Sequence, residues 1–354
     1  MQIDFHHAVT YVVARLAGFD EREAGIVAYA AQYVDDATNS GLVAFTNGAM
    51  YKRISSAHRT LDYRNFKELA NHRVWLPFHF LPGNGGMPAG TEPRGTFIEK
   101  LRCIPDSPVA RDMLRACIAA REAPGGLHRL GITMHVYADT WAHQGFAGVN
   151  HEVNEAKHLV GADGEPDTPL IDRLMNRFIG EALPLGHGAV LSNPDKPWLK
   201  WGYTNGRGQV IARDNPTDFV AAADAMCREM RRFRVGDPEA EVPGLPARDR
   251  GLIDEMLRGI QEDDGDHRHL LWLEAIAGGS FSFGKGHPLY VALGEGSWKC
   301  DALGDAAASE DDDLRFTFSQ AFMYSDWKLF HDALQEHRFA VLHRILPRYG
   351  ICAA

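Results

Sequence analysis

The run His135-x3-Asp139-x3-His143, set within LGITMHVYADTWAHQGF, constrains this chain more than any other feature. At 100° per residue the three side chains fall within about 80° of one another on one helix face, in a stripe about 12 Å long. Ile132, Met134, Val136, Tyr137, Ala138 and Trp141 make the rest of the segment mostly apolar, so the helix is expected to be buried. Two imidazoles and a carboxylate are costly in such surroundings unless they are paired or metallated. With the carboxylate in the middle, Asp139 can bridge two ions while each histidine serves one of them. The competing reading is a hydrogen-bonded polar stripe against a partner helix.

Further residues of ligand type lie scattered along the sequence. Asp35 and Asp36 end a strongly apolar helix, where acids oppose the helix dipole and a bound cation gives them a reason to be there. His6 and His7 open the first helix. His79 sits in the apolar run WLPFHFLP, as a ligand or as a hydrogen-bonded core residue, whereas His58 is polar in context and reads as surface. Two pairs compete to complete a further site. His151 and Glu155 in HEVNE stand at i, i+4, a spacing able to hold one ion on a helix. His187 and Asp195 lie in LGHGAVLSNPDKPWLKW, where glycines flank the imidazole and permit close approach.

The hydrophobic pattern predicts helices over 6–37, split by a turn at Gly18-Phe19-Asp20, then over 109–122, 127–144, 217–234 and 247–278. HEVNEAKHLV opens another, and an amphipathic helix, DWKLFHDALQEHRFAVLHRIL, lies near the end of the sequence. LPGNGGMPAGTEPRGTF is a loop of lid or rim type with no phosphate-binding P-loop ending. Strand-like alternation is scarce. The expected fold is all-α, a single-domain multi-helix bundle with irregular loop insertions, in which 1–204 carries the metal motifs and 205–354 is a helical extension of unknown role.

Composition narrows the function classes. Seventeen histidines among 354 residues is a high count, while the five cysteines are odd in number and form no Cys-x-x-Cys, so neither a disulfide framework nor a thiolate zinc knuckle is expected. A net charge of −10 argues against nucleic acid as a partner. The first residues lack a basic region ahead of the apolar stretch, which Arg15 interrupts, and no apolar run reaches about 18 residues, so neither a signal peptide nor a transmembrane segment is expected. The expectation is a cytoplasmic protein, unless a dedicated secretion system exports it.

The order His6, Asp35-Asp36, Pro77-Phe78-His79-Phe80, His135-x3-Asp139, His143 and a later histidine with an acid resembles the zinc-dependent phospholipase C and P1/S1 nuclease superfamily. That resemblance implies a helical bundle of phospholipase C/P1 nuclease type holding a zinc cluster. It implies that Asp35, His79, His135 and Asp139 bind one ion, His6 and Asp139 a second, and His143 with His151 and Glu155 the remaining one. Superfamily members use a freed N-terminal amine, usually of tryptophan, as a ligand, whereas this sequence starts at Met1 with no cleavage signal; two or three ions are expected. The chain also resembles a distantly related bacterial family whose signature includes the Gly-His-Gly and Pro-Asp elements, which keeps His187 and Asp195 beside His151 and Glu155.

A ligand set of imidazole and carboxylate suits zinc, manganese or iron, and the resemblance selects zinc. The leading expectation is a metal-dependent phosphoester or phosphodiester hydrolase with a metal-bridging hydroxide as nucleophile. Asp139 bridges the ions, and Asp35 or Asp36, whichever is not tied to metal, orients the water. Trp198, Trp201 and Tyr203 could stack on a ring or line a lipid-facing cleft, and a small-molecule or lipid phosphoester is favoured as substrate. A di-iron or other redox metalloenzyme on the same ligands is one alternative. A non-enzymatic, metal-stapled interaction or toxin-type module is another. A histidine-aspartate phosphohydrolase fits poorly, because His331-Asp332 has no aspartate after it.

Overall fold

The computed structural model describes residues 1–57, 68–161, 190, 192–304, 307 and 315–353. A π-helical turn, Asp4–Val9, runs into α1 (Thr10–Ala17), which ends where Gly18 takes a left-handed φ of 98°. Asp20 then accepts from the Glu23 amide while the Glu23 side chain accepts from the Asp20 amide, a capping box that starts α2 (Glu21–Asp36). This is the helix, turn, helix pattern read from the sequence. It is followed by α3 (Glu68–Phe78), α4 (Ile98–Leu101), α5 (Pro108–Ala119) and α6 (Gly126–Ala142). Pro77 is accommodated in the last turn of α3.

Beyond residue 205 come α7 (Asn215–Val235), α8 (Ala247–Gly259), α9 (Gly265–Gly278), α10 (Trp298–Leu303) and α11 (Asp326–Phe339). The segment read as one helical stretch over 247–278 is two helices. Between them, Asp264 caps α9 through the Asp266 amide.

At the centre, α6 is buried along its whole length apart from Leu127 and packs chiefly against α2, with α7 and α11 on other sides. Gly131 permits the closest approach: a Cβ there would stand 2.4 Å from the Val27 carbonyl and 2.7 Å from Ala30 Cβ. One turn later α6 presents His135. The backbone contact at Gly131 therefore sets how near α2 comes to the functional face of α6.

The all-α expectation is overturned. Among the described residues there are two three-stranded sheets. In the first, β1 (Gly41–Phe45) pairs antiparallel with β2 (Met50–Arg53) and parallel with β6 (Arg315–Phe316). In the second, β3 (Ala156–Val160), β4 (Lys200–Asn205) and β5 (Val210–Asp214) form an antiparallel meander. The strands are too short for alternation to stand out, but both hairpins carry the Asn-Gly signal that favours tight turns. Asn47-Gly48 joins β1 to β2, with Asn47 Oδ1 accepting from the Ala49 amide at 3.0 Å. Asn205-Gly206 begins the β4–β5 turn, with Asn205 Oδ1 accepting from the Arg207 and Gln209 amides at 3.0 Å each. The helix expected at HEVNEAKHLV is a single 3-10 turn, Glu152–Asn154, running into β3.

Trp201 and Tyr203 are core residues of the second sheet and no ligand-facing wall. Their rings stack at 5.1 Å, and Tyr203 stacks on Phe146 at 5.6 Å. No helix among the described residues is long and apolar enough to cross a membrane.

Candidate metal centre

The C-terminal half of α6 supplies His135 and Asp139, with His143 as its C-terminal cap residue. The end of α2 contributes Asp35, and the residue following α3 contributes His79. The π-helical turn near the N-terminus brings His6, whose ring stacks on His135 at 3.8 Å. Asp195 arrives on a 3-10 turn, Asn193–Asp195.

Second partners fix how each imidazole points. His135 Nδ1 donates to the Ala31 carbonyl at 2.8 Å, His79 Nε2 to the Ser56 carbonyl at 2.9 Å, and His143 Nδ1 to the His79 carbonyl at 2.7 Å. A carbonyl only accepts, so each of those ring nitrogens carries the proton and the other nitrogen of the neutral ring is bare. Ser56 is itself held, its hydroxyl on the Val34 carbonyl at 2.6 Å and its amide on the Ala37 carbonyl at 3.0 Å.

The bare nitrogens converge. His79 Nδ1 and His135 Nε2 lie 3.2 Å apart. Asp35 Oδ1 is 3.7 Å from the first and 3.8 Å from the second; Asp139 Oδ2 is 3.5 Å and 3.3 Å away. Two neutral imidazoles cannot face each other in this way without a proton or a cation between them. Nitrogens each about 2.0 Å from a tetrahedral ion are separated by about 3.3 Å, so the spacing also suits a shared ion.

The other oxygen of Asp139 faces elsewhere. Oδ1 lies 3.2 Å from His6 Nε2, at a distance but not at an angle for a hydrogen bond, and among the described residues neither nitrogen of this fully buried ring has a hydrogen-bond partner. The α-amino group of Met1 is 2.8 Å from Asp139 Oδ1 and 3.0 Å from Asp195 Oδ1, so both oxygens meet at one nitrogen. His143 Nε2 is 3.4 Å from the same Asp195 oxygen. Two groups, His6 with His135 and Asp139, and Asp35 with His79 and His135, could each hold a metal ion, with His135 common to both.

Electrostatics agree with that arrangement. Burial pushes the Asp139 carboxyl up, but His143, the Met1 amine, His135 and His6 outweigh it and hold Asp139 well below the usual carboxylate range. For the Met1 amine, burial favours the neutral form, while Asp139, Asp195 and Asp35 overcome it and raise the pKa to about 11. Burial lowers His6 well below an ordinary imidazole, helped by His135 and the amine. Burial also opposes charge on His79, yet Asp139, Asp35 and the Ser56 carbonyl raise it. Burial raises Asp35, although a third of its side chain remains open to solvent.

A family of unknown function, DUF6765, matches residues 1–345. The chain belongs to this family. No curated protein and no solved structure matches it.

Other residues singled out in this DUF6765 chain lie away from the centre. His7 points away from His6, as consecutive helical residues must; its Nδ1 meets His269 Nε2 at 2.8 Å, and burial together with His269 lowers its pKa to about 3. Asp36 also turns away from its neighbour Asp35, accepting from Gln32 Nε2 at 3.1 Å and from the Tyr290 hydroxyl. His151 accepts from the Val153 amide at 3.0 Å, and Glu155 pairs with Lys157 at 2.9 Å. Because no helix forms there, the i, i+4 geometry that suggested His151 and Glu155 does not exist. Between the two competing pairs the structure brings Asp195 to the cluster, while His187 and His58 lie outside the described residues. Sequence reasoning set the N-terminal amine aside and missed the carbonyls of Ala31, Ser56 and His79; backbone carbonyls leave no residue-type signal.

Proposed function

We propose that this chain is a zinc-dependent hydrolase of phosphoesters or phosphodiesters. The observation that carries the reading is the pair of bare nitrogens, His79 Nδ1 and His135 Nε2, facing each other beside the two-sided Asp139. Imidazole and carboxylate ligands with no thiolate suit zinc, and the motif order of the superfamily supports that choice. Zinc bound here would polarise a phosphoryl oxygen and lower the pKa of water.

The chain's own residues prepare the rest. Asp139, almost wholly buried and held ionised, faces one position with each oxygen. The Ala31, Ser56 and His79 carbonyls lock His135, His79 and His143 in one tautomer and one orientation, so no reorganisation is needed when a substrate arrives. Asp35 is the cluster carboxylate most open to solvent, and it is placed to accept a proton from an incoming water. Asp36, committed to Tyr290 and Gln32, is not. A net charge of −10 disfavours a long polyanion, so a small phosphoester or a lipid head group is the substrate class we assign.

The test combines elemental analysis of protein purified without added metal with hydrolysis of bis(4-nitrophenyl) phosphate before and after chelation. Tightly bound zinc, turnover lost with chelator and restored by zinc are expected. Iron with a visible absorption band overturns the hydrolase reading, and so does a folded, zinc-loaded protein with no turnover on any phosphoester.

A further inference from the structure

The centre described above explains nothing about the helices beyond residue 205, yet one of them carries a buried cation whose entire hydrogen-bonding capacity is spent near His6. Arg268, in the first turn of α9, is fully buried. Its Nε donates to Asp4 Oδ2 at 2.6 Å, and Nη2 donates to Asp4 Oδ1 at 3.4 Å and Gln2 Oε1 at 2.5 Å. Its Nη1 donates to the Glu262 carbonyl at 2.7 Å and the Asp263 carbonyl at 3.1 Å. All five donors of the guanidinium are thereby engaged.

Two of the groups it fixes, Gln2 and Asp4, precede His6 in the segment that also carries the Met1 amine. The next residue of α9, His269, meets His7, so the first turn of this helix grips both sides of His6 in sequence. Arg268 also reaches the opposite wall of the second metal position. Its guanidinium lies 5.0 Å from the centre of the Trp198 ring, three residues beyond Asp195, and Lys196 pairs with Asp263, whose carbonyl Arg268 holds.

A buried ion pair is weak evidence for stability, because an apolar pair of similar volume often serves as well or better. What such a pair cannot reproduce is the rigid planar fork that sets direction as well as distance. We propose that Arg268 is a positioning residue for the second metal position, registering the His6 segment against Asp139 and Asp195. The proposal rests on the metal reading above and gives residues beyond 205 a part in the site.

The experiment uses the full-length chain and zinc alone as the probe. Zinc stoichiometry and stepwise affinity are measured by competition with a chromogenic chelator in the parent protein, in Arg268→Lys, and in the double variant Asp4→Leu/Arg268→Met, which removes both charges and leaves neither buried alone. The parent is expected to bind at least two ions. The double variant should keep the tight ion at parental affinity and lose the second by roughly 10–100-fold, the usual effect of removing an outer-shell partner. Arg268→Lys should fall between them. Unchanged affinity for both ions in the double variant overturns the proposal, since a purely structural pair predicts that result. Should the double variant fail to fold, parental binding of both ions by Arg268→Lys overturns it equally. A parent protein with no bound zinc overturns the metal reading itself and the proposal with it, a failure distinct from the other two.

Discussion

His79 Nδ1 and His135 Nε2 face each other across 3.2 Å while the far nitrogen of each ring donates to a carbonyl, so neither ring can turn its own proton toward the other. Something positive has to stand between them. A proton serves when it makes one ring an imidazolium, and although burial opposes that charge, Asp139, Asp35 and the Ser56 carbonyl raise the pKa of His79.

Asp139→Ala is expected to remove both proposed metal positions together, because one carboxylate oxygen faces His135 and the other faces His6. It also leaves the Met1 ammonium without its nearest carboxylate. Loss of one partner from a buried pair costs about 3–5 kcal/mol, so the variant should melt well below the parent in the presence of chelator. Elemental analysis and a chelated thermal melt check this; retention of one ion at full affinity contradicts the bridging role.

Gly131→Ala tests the link between packing and the centre. The added methyl meets the backbone carbonyl of Val27, which cannot swing aside as a side chain would. Forcing α2 from α6 should cost about 1–3 kcal/mol and draw the Ala31 carbonyl away from His135 Nδ1. Metal affinity should fall along with stability. A destabilised variant with parental zinc affinity would show that the helix spacing does not reach the site.

Two buried histidines outside the candidate ligand set should govern part of the acid response. Burial lowers His331 to about 3, aided by nearby Arg53, and lowers His337 to about 3, aided by Arg129; bonds to the Ile54 and Pro77 carbonyls oppose the shift. Unfolded histidine titrates near 6.5, so between about pH 6.5 and pH 3 the unfolded chain binds more protons at these sites. The stabilising contribution is complete above that window and is lost as pH falls through it, by up to about 1.4 kcal/mol per pH unit for each group. Denaturant midpoints measured across the window should decline with acid, and His331→Gln should flatten the decline. An equally steep acid limb in that variant contradicts the assignment.

Removal of zinc from the parent by chelation should lower the melting temperature, since a ligand that binds only the folded state stabilises it by mass action. Calorimetry with and without chelator reads this directly, and identical melts would argue that no ion is bound.

Much of the centre was legible in the sequence because α6 imposes a strict period. In a buried helix, ligand-type residues four apart must share a face, and His135 with Asp139 does so. His79 was legible as an imidazole inside an apolar run and Asp35 as an acid that opposes a helix dipole, whereas His6 was singled out only through the resemblance. The failures came where that period was absent. HEVNE reads as a helix only if one forms, and pairing with β4 takes the chain instead. The strands of two to six residues hid their alternation, although Asn47-Gly48 and Asn205-Gly206 marked the turns. Asp35 and Asp36 are equivalent by composition, and only the helical rotation between adjacent residues separates the one at the cluster from the one held by Tyr290.

The bond between Asp4 and Arg268 spans 264 residues of sequence, and β1 with β6 closes over a similar interval. Contacts so distant carry a loop-closure cost that must be met before they form, and non-local pairings of this kind slow folding. During vectorial synthesis the first ligand segment therefore waits for most of the chain to be made before its final partner exists. A nascent protein has α2 and α6 early, whereas the bonds from Arg268 to Gln2 and Asp4, just ahead of His6, can form only once α9 has emerged.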